Sequence, residues 1–159
     1  MAEIRPATAA DVPAMVGLVR ELAAYERAAE EVELTPEVLS SALFGAQPAV
    51  FAHVAEVDGE VAGFALWFVS FSTWLGRHGI YLEDLYVRPE HRGAGLGKAL
   101  LVALARVCVE RGYGRLEWSV LDWNKPAVDF YRAHGAVAQD EWTVFRVTGE
   151  PLRQLAALG

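Results

Sequence analysis

The chain has a single cysteine, Cys108, in 159 residues. An intrachain disulfide framework is excluded, and a thiolate-based metal site nearly so. The histidines His53, His78, His91 and His134 lack metal-ligand spacing, so no metal is expected. Positive charge is also scarce. Lys plus Arg number 14 against 21 Asp plus Glu, for a formal charge of −7. Nucleic-acid binding needs a basic face to displace phosphate counterions, so no nucleic-acid partner is expected; an acidic chain better suits a cationic one. Long apolar runs are missing. The longest, Val61 to Phe71, is broken by Gly63 and Ser70 and falls short of the ~20 residues of a membrane span. The opening MAEIRPATAADVP is interrupted by Glu3 and Asp11 and lacks the form of a signal peptide. The expectation is a soluble cytoplasmic protein with no membrane partner.

What is present suits a packed core. The composition is 53% hydrophobic and 11% aromatic, which excludes a disordered or low-complexity chain. A chain of about 150 residues buries roughly 70% of its unfolded surface. One domain, 3–159, is expected. Ile4 to Pro6 reads as a first strand. Thr8 and Asp11 stand at capping-box spacing before Val12, Met15, Val16, Val19, Leu22 and Ala23, which recur at helical spacing. Thr35-Pro36-Glu37 starts a second helix that stops at Gly45. Strands are predicted at Ala49–Val57 and Val61–Val69, joined by an Asp58-Gly59 hairpin turn. A loop from Ser70 to Gly79 holds Trp74, and a fourth strand runs from Ile80 to Val87. A long helix follows, with Leu96, Leu100, Ala103, Leu104 and Val107 on one stripe, ending at Gly112. Leu116–Leu121 is a predicted fifth strand and Trp142–Val147 a sixth. A short helix between them is capped by Asn124 and stops at His134-Gly135, and Thr148 starts a last helix. This order implies a mixed α/β layer fold.

The most informative segment is Val87-Arg88-Pro89-Glu90-His91-Arg92-Gly93-Ala94-Gly95-Leu96-Gly97-Lys98, where a strand gives way to a glycine-rich loop and a helix start. Amides at such a start lack internal acceptors and carry the positive end of the helix dipole, and glycines let an anion approach them. Two nucleotide signatures fail. Gly97-Lys98 is followed by Ala99 rather than Ser or Thr, with Arg92 at the distal glycine position. In the dinucleotide pattern, Lys98 stands where the third glycine belongs. What remains is Arg-x-x-Gly-x-Gly, made by Arg92, Gly95 and Gly97, or a tight turn and nothing more.

Taken with Asn124 and the Phe130-Tyr131 pair, this pattern resembles the GNAT superfamily of acetyl-CoA-dependent N-acetyltransferases. The segments 4–11 (IRPATAAD), 21–26 (ELAAYE), 81–87 (YLEDLYV) and 123–127 (WNKPA) are similar to the spermidine/spermine (diamine) and thialysine N-acetyltransferase branch. The resemblance covers nearly the whole chain. It implies a mixed, mostly antiparallel central sheet, helices on both faces, and a splayed pair of central strands. It also implies acetyl-CoA as co-substrate, a small cationic amine as acceptor, and a homodimer.

The resemblance carries roles for particular residues. Arg92, Gly93, Ala94, Gly95, Leu96, Gly97 and Lys98 receive the coenzyme pyrophosphate. Leu85, Tyr86 and Val87 receive the pantetheine arm through main-chain groups, as in strand addition. Asn124, Pro126 and Ala127 contact the coenzyme, although Asn124 is also a helix cap by its local pattern. Tyr131 is the general acid for the departing thiolate, or a packed aromatic. Glu83 and Asp84 are adjacent carboxylates in an apolar strand and cannot both face solvent in a covered sheet. A bulge or salt bridge accounts for them, or a bulge that aims them at an amine. By resemblance Glu83 is the base and Asp84 helps bind the amine. Tyr25 and Glu26 line the amine pocket, and Trp74 offers a cation its π-face. Trp142 and Asp140 are weaker pocket candidates.

One departure matters: the polyamine branch carries Asp-Pro just before this tryptophan, and here Ser72-Thr73 stand there. The lost carboxylate leaves the amine open among short diamines, polyamines and thialysine- or lysine-like amines. Cys108 lies on an apolar stripe and reads as a small hydrophobe rather than an acyl carrier. Two other readings stay open: protein or peptide N-acetylation, and a non-catalytic coenzyme A-binding module.

Overall fold

The computed structural model describes residues 1–159. Its strands are β1 Ala2–Pro6, β2 Phe51–Val57, β3 Glu60–Ser72, β4 Arg77–Val87 and β5 Leu116–Trp118. Its helices are α1 Val12–Tyr25, α2 Pro36–Phe44, α3 Leu96–Arg111, α4 Lys125–Ala133 and α5 Gly149–Ala156. They fall into two compact units, 1–121 and 122–159.

The first unit holds the sheet, in order β1-β2-β3-β4-β5. Neighbours are antiparallel except β4 and β5, which are parallel. This is the mixed, mostly antiparallel sheet expected. Asp58 and Gly59 adopt φ 51° and 85° and close the β2–β3 hairpin, since two left-handed residues match strand twist. Alternation then sorts the faces. Ala52, Val54, Phe64, Leu66 and Tyr86 pack against Val12, Met15, Val16 and Leu18 of α1 and Leu39 and Leu43 of α2. The opposite face packs on α3, where the Arg111 guanidinium lies 5.7 Å from the Trp67 ring centroid. The Trp67 indole N–H donates to His53 Nδ1 at 3.2 Å. Helices thus cover both faces. Cys108 is buried on α3, where burial pushes its thiol pKa up, in keeping with a packing role.

The entry to α1 is held electrostatically. Asp11 is buried, and its carboxylate accepts a forked pair from Arg5 at 2.7 and 2.9 Å and the Thr8 N–H at 2.7 Å. Arg5 also donates to Glu56 at 2.8 Å, so one guanidinium pins the α1 start to β2. Arg5 holds the Asp11 carboxyl below its ordinary value.

The structure corrects three strand expectations. β3 and β4 extend through most of the expected 70–79 loop, leaving 73–76 as the turn. Ser72 stabilises that turn: its Oγ accepts the Leu75 N–H at 3.1 Å and an Arg115 N–H at 3.0 Å. β5 ends at Trp118 rather than Leu121. The expected sixth strand, Trp142–Val147, does not form. No strand pairs with it, and a strand exists only by exchanging amide hydrogen bonds with a neighbour. β5 is therefore a sheet edge, and the β4–β5 pair stands at the side of the sheet rather than its centre. In the second unit, Asn124 Oδ1 accepts the Ala127 N–H at 3.4 Å to cap α4, and Thr148 precedes α5.

Replacing Asp11 by Ala leaves Arg5 without its main partner and should cost about 2 kcal/mol at pH 7. A depressed carboxyl contributes stability above its unfolded pKa and loses it as pH falls through the folded one. Urea melts should therefore show the wild-type advantage shrinking below pH 4; an advantage independent of pH contradicts the assignment.

Candidate active site

β4 pairs with β3 along its length but with β5 only through Ile80–Leu116, Tyr81–Glu117 and Leu82–Trp118. Beyond Leu82 no strand lies on its second side. The ladder phase decides which groups face that gap. The Arg88 N–H donates to Ala62 O at 2.9 Å, so alternation turns the Tyr86 and Asp84 main-chain groups toward β3. Leu85 and Val87 present theirs to the open side. The Val87 carbonyl accepts from Arg92 Nε at 2.9 Å, which leaves the Leu85 amide and carbonyl facing the gap.

The gap begins beside a bulge. Pairing steps from Trp67–Leu82 to Leu66–Asp84, so Glu83 is an extra residue on β4. An inserted residue lets both adjacent carboxylates escape strict alternation. The Glu83 side chain is exposed, whereas Asp84 is partly buried opposite Leu66. Burial, then the charges of Glu83 and Glu26, push the Asp84 carboxyl up to about 6. Glu26 caps the C-terminus of α1, and burial raises its carboxyl too. None of the three joins one of the chain's ion pairs. Acid groups held together without a cation invite one.

At the other end of the gap lies the glycine loop. Gly93 and Gly95 adopt φ 90° and 78°, a region that favours glycine, and a Cβ on either would meet no atom within 4 Å. Space is open around both. Gly95 is the N-cap of α3, and the first helical bond runs from the Ala99 N–H to Gly95 O. The Leu96, Gly97 and Lys98 amides precede it and have no helical acceptor, and the cap supplies no side chain. Exposed Lys98 adds a positive charge. This donor set fits a phosphate group.

The remaining expected residues divide. Tyr25, Glu26, Glu83 and Asp84 belong to the first unit, and the three carboxyls interact. Trp74 sits on the β3–β4 turn, 86% exposed. From Arg77 to Glu83 the strand rises about 20 Å, so Trp74 is not brought beside the bulge. In the second unit, Asn124 and Pro126 form the start of α4, with Ala127 bonded to the cap. Tyr131 is partly buried near the end of that helix, its ring 5.6 Å from Phe130.

One residue escaped the sequence reading. Glu21 on α1 accepts the Tyr86 O–H at 3.2 Å and Arg88 Nε at 3.3 Å, tying α1 to β4 at the loop. Its signals were its place at the head of the 21–26 segment and its position a helical turn before Tyr25.

A β4 edge left open beside a glycine-rich helix start defines an acyltransferase site of the GNAT class. Residues 16–136 match the family model "Acetyltransferase (GNAT) family", and the chain belongs to that family. Among its relatives, a thialysine N-epsilon-acetyltransferase of Bos taurus is 42% identical, over 96% of both chains. The L-ornithine N5-acetyltransferase NATA1 of Arabidopsis thaliana is 32% identical over 98% of this chain and 88% of its own. A solved integron cassette protein from the mobile metagenome of V. cholerae superposes with a TM-score of 0.82 at 27% identity, covering 99% and 98% of the two chains.

The carboxyl cluster has a cost that can be measured. A raised carboxyl favours folding at acid pH, and that contribution is lost as pH rises through the folded value near 6. Asp84→Asn, which resembles the neutral acid, should stabilise the free protein by about 2 kcal/mol at pH 8 and change little below pH 4. Denaturant melts at both pH values check this; destabilisation at pH 8 contradicts it.

Proposed function

We propose that the chain moves an acetyl group from acetyl-CoA directly to the primary amine of a small cationic substrate. The observation that carries this reading is the trio Glu26, Glu83 and Asp84, without a cation of its own, beside the open β4 edge. Among diamines, polyamines and thialysine- or lysine-like amines, the amino-acid amines come first. Two relatives carry thialysine and L-ornithine in their names, and Ser72, which stands where the polyamine branch has a carboxylate, is occupied in a turn. The family match crosses both compact units, which supports one N-acetyltransferase domain over 3–159.

The coenzyme supplies an acetyl thioester. The amides of Leu96, Gly97 and Lys98, with the open space at Gly93 and Gly95, hold its phosphates. Leu85 hydrogen-bonds the extended arm, and its N–H stands ready for a carbonyl oxygen that gains negative charge. Asn124, Pro126 and Ala127 contribute the contact that the family resemblance assigns to them. Asp84 and Glu26 draw the ammonium in. An alkylammonium with a pKa near ~10 attacks only after losing a proton, and exposed Glu83 passes that proton to solvent. Tyr131 Oη holds the proton that the leaving sulfur takes. A homodimer in the cytoplasm completes the reading. Trp142, Val144 and Phe145 are 70%, 80% and 91% exposed, apolar surface of the kind a second copy covers.

Thiol release from acetyl-CoA against a panel of lysine, thialysine, ornithine, diaminobutane, spermidine and an N-terminal peptide tests this reading. Turnover should be restricted to the small amines, with intersecting initial-rate lines. Tyr131→Phe should keep coenzyme affinity and lower kcat about 100-fold. Parallel lines with half-transfer of acetyl overturn the direct route, a near-wild-type rate removes the Tyr131 role, and turnover of the peptide alone overturns the substrate class.

A further inference from the structure

We infer that Tyr25 is a positioning residue for the coenzyme loop, acting through Arg92, so that the amine end of the site and the coenzyme end share one strut. This rests on the coenzyme reading of the glycine loop and adds to it.

Arg92 opens that loop, and its exposed side chain reaches back to the end of β4. Its Nε donates to Val87 O at 2.9 Å, which locks the guanidinium beneath the end of β4. The guanidinium carbon then lies 5.3 Å from the Tyr86 ring centroid and 5.8 Å from that of Tyr25. A guanidinium within about 6 Å of an aromatic ring is attracted by its quadrupole. The two rings come from different elements, β4 and the last residue of α1. Tyr86 is fixed in turn, since its O–H donates to Glu21 Oε1 at 3.2 Å. The cation therefore lies between the Tyr86 ring and the Tyr25 ring, the latter 43% exposed at a helix end.

That second ring joins the cation to the amine end of the site. Tyr25 immediately precedes Glu26, whose charge reaches Asp84. An amine seated among the carboxyls lies beside the end of α1 that carries the Tyr25 ring. The ring holds Arg92, and Arg92 begins the segment that leads through Gly93 and Gly95 to the α3 amides. Gly93 and Gly95, with open space around them, offer little other restraint. The α1 end thus adds one contact to those that place the loop, beside the Arg92 N–H to Pro89 O bond at 3.2 Å and the Arg92 Nε bond to Val87 O.

Calorimetric titration of coenzyme A into the intact protein, without amine, tests the strut. Tyr25→Leu should weaken the dissociation constant about three- to fivefold, and Tyr25→Phe, which keeps the ring, should match wild type. In an Arg92→Gln background Tyr25→Leu should have no further effect, a non-additivity that a general loosening of α1 does not produce. If Tyr25→Leu fails to fold, Tyr25→Gln at the same exposed position replaces it. Equal coenzyme affinity in wild type and Tyr25→Leu overturns the strut, as does an effect that persists without Arg92. Failure of wild type itself to bind coenzyme A overturns instead the functional reading beneath it.

Discussion

The site depends on β4 losing β5 as a neighbour after Leu82. A strand inside a sheet normally spends both sets of amides on its neighbours, and a group left over must find another partner. Here the parting is imposed at both ends. At Gly79 a Cβ would stand 2.7 Å from the Arg115 carbonyl, so the glycine lets β5 come close where pairing begins. Four residues later the Glu83 bulge turns β4, and the two parallel strands have no common register to continue. Leu85 is then a main-chain donor and acceptor without a strand to meet. A fold that leaves such a pair beside a helix N-terminus has made an extended anion-terminated slot from backbone alone.

The same bulge creates the electrostatic contrast across the slot. On one side are unpaired amides, Lys98 and the positive end of α3; on the other, Glu26, Glu83 and Asp84 at the negative end of α1. The second arrangement opposes folding, since helix polarity and mutual repulsion both disfavour the carboxylates. The Arg5–Asp11 pair shows the alternative. There the chain buries a carboxylate with a forked guanidinium and an amide, and its pKa falls rather than rises. A chain that can satisfy one buried acid and leaves another unsatisfied separates support from binding in chemical terms.

Much of this was legible in the residues. The Asp58-Gly59 hairpin, the Thr35-Pro36 start, the Gly112 stop and the Asn124 cap follow from local rules that need no tertiary partner, and they formed where expected. Adjacent Glu83 and Asp84 in an apolar strand signalled a break in alternation, and the bulge supplied it. What failed were features set by a neighbour. Trp142–Val147 is rich in aromatic and β-branched residues, as strands are, yet composition does not supply a ladder. The 70–79 segment read as a loop because Ser72, Thr73 and Gly76 weigh toward a turn, whereas pairing with β3 carried β4 out to Arg77. That extension put Trp74 far from the bulge. Glu21 was invisible for a related reason: a surface helix glutamate acquires meaning only when Tyr86 and Arg88 arrive from β4.

In the proposed reaction the acid cluster faces opposing demands. Carboxylates that attract an ammonium also raise its pKa, and so hold back the proton whose loss creates the nucleophile. A deeper, fully ionised trio would bind the amine well and leave it inert. Burial of Asp84 moderates this, because near pH 6 the group is only partly charged before the cation arrives. The exposed position of Glu83 addresses the other half. A carboxylate in contact with water can hand a proton directly to solvent. Placing one acid inward and the next outward requires that they be neighbours across a bulge, because regular alternation would have sent the second carboxylate to the α3 face of the sheet. Binding and proton removal are thus divided between adjacent residues by the same irregularity that opens the strand edge.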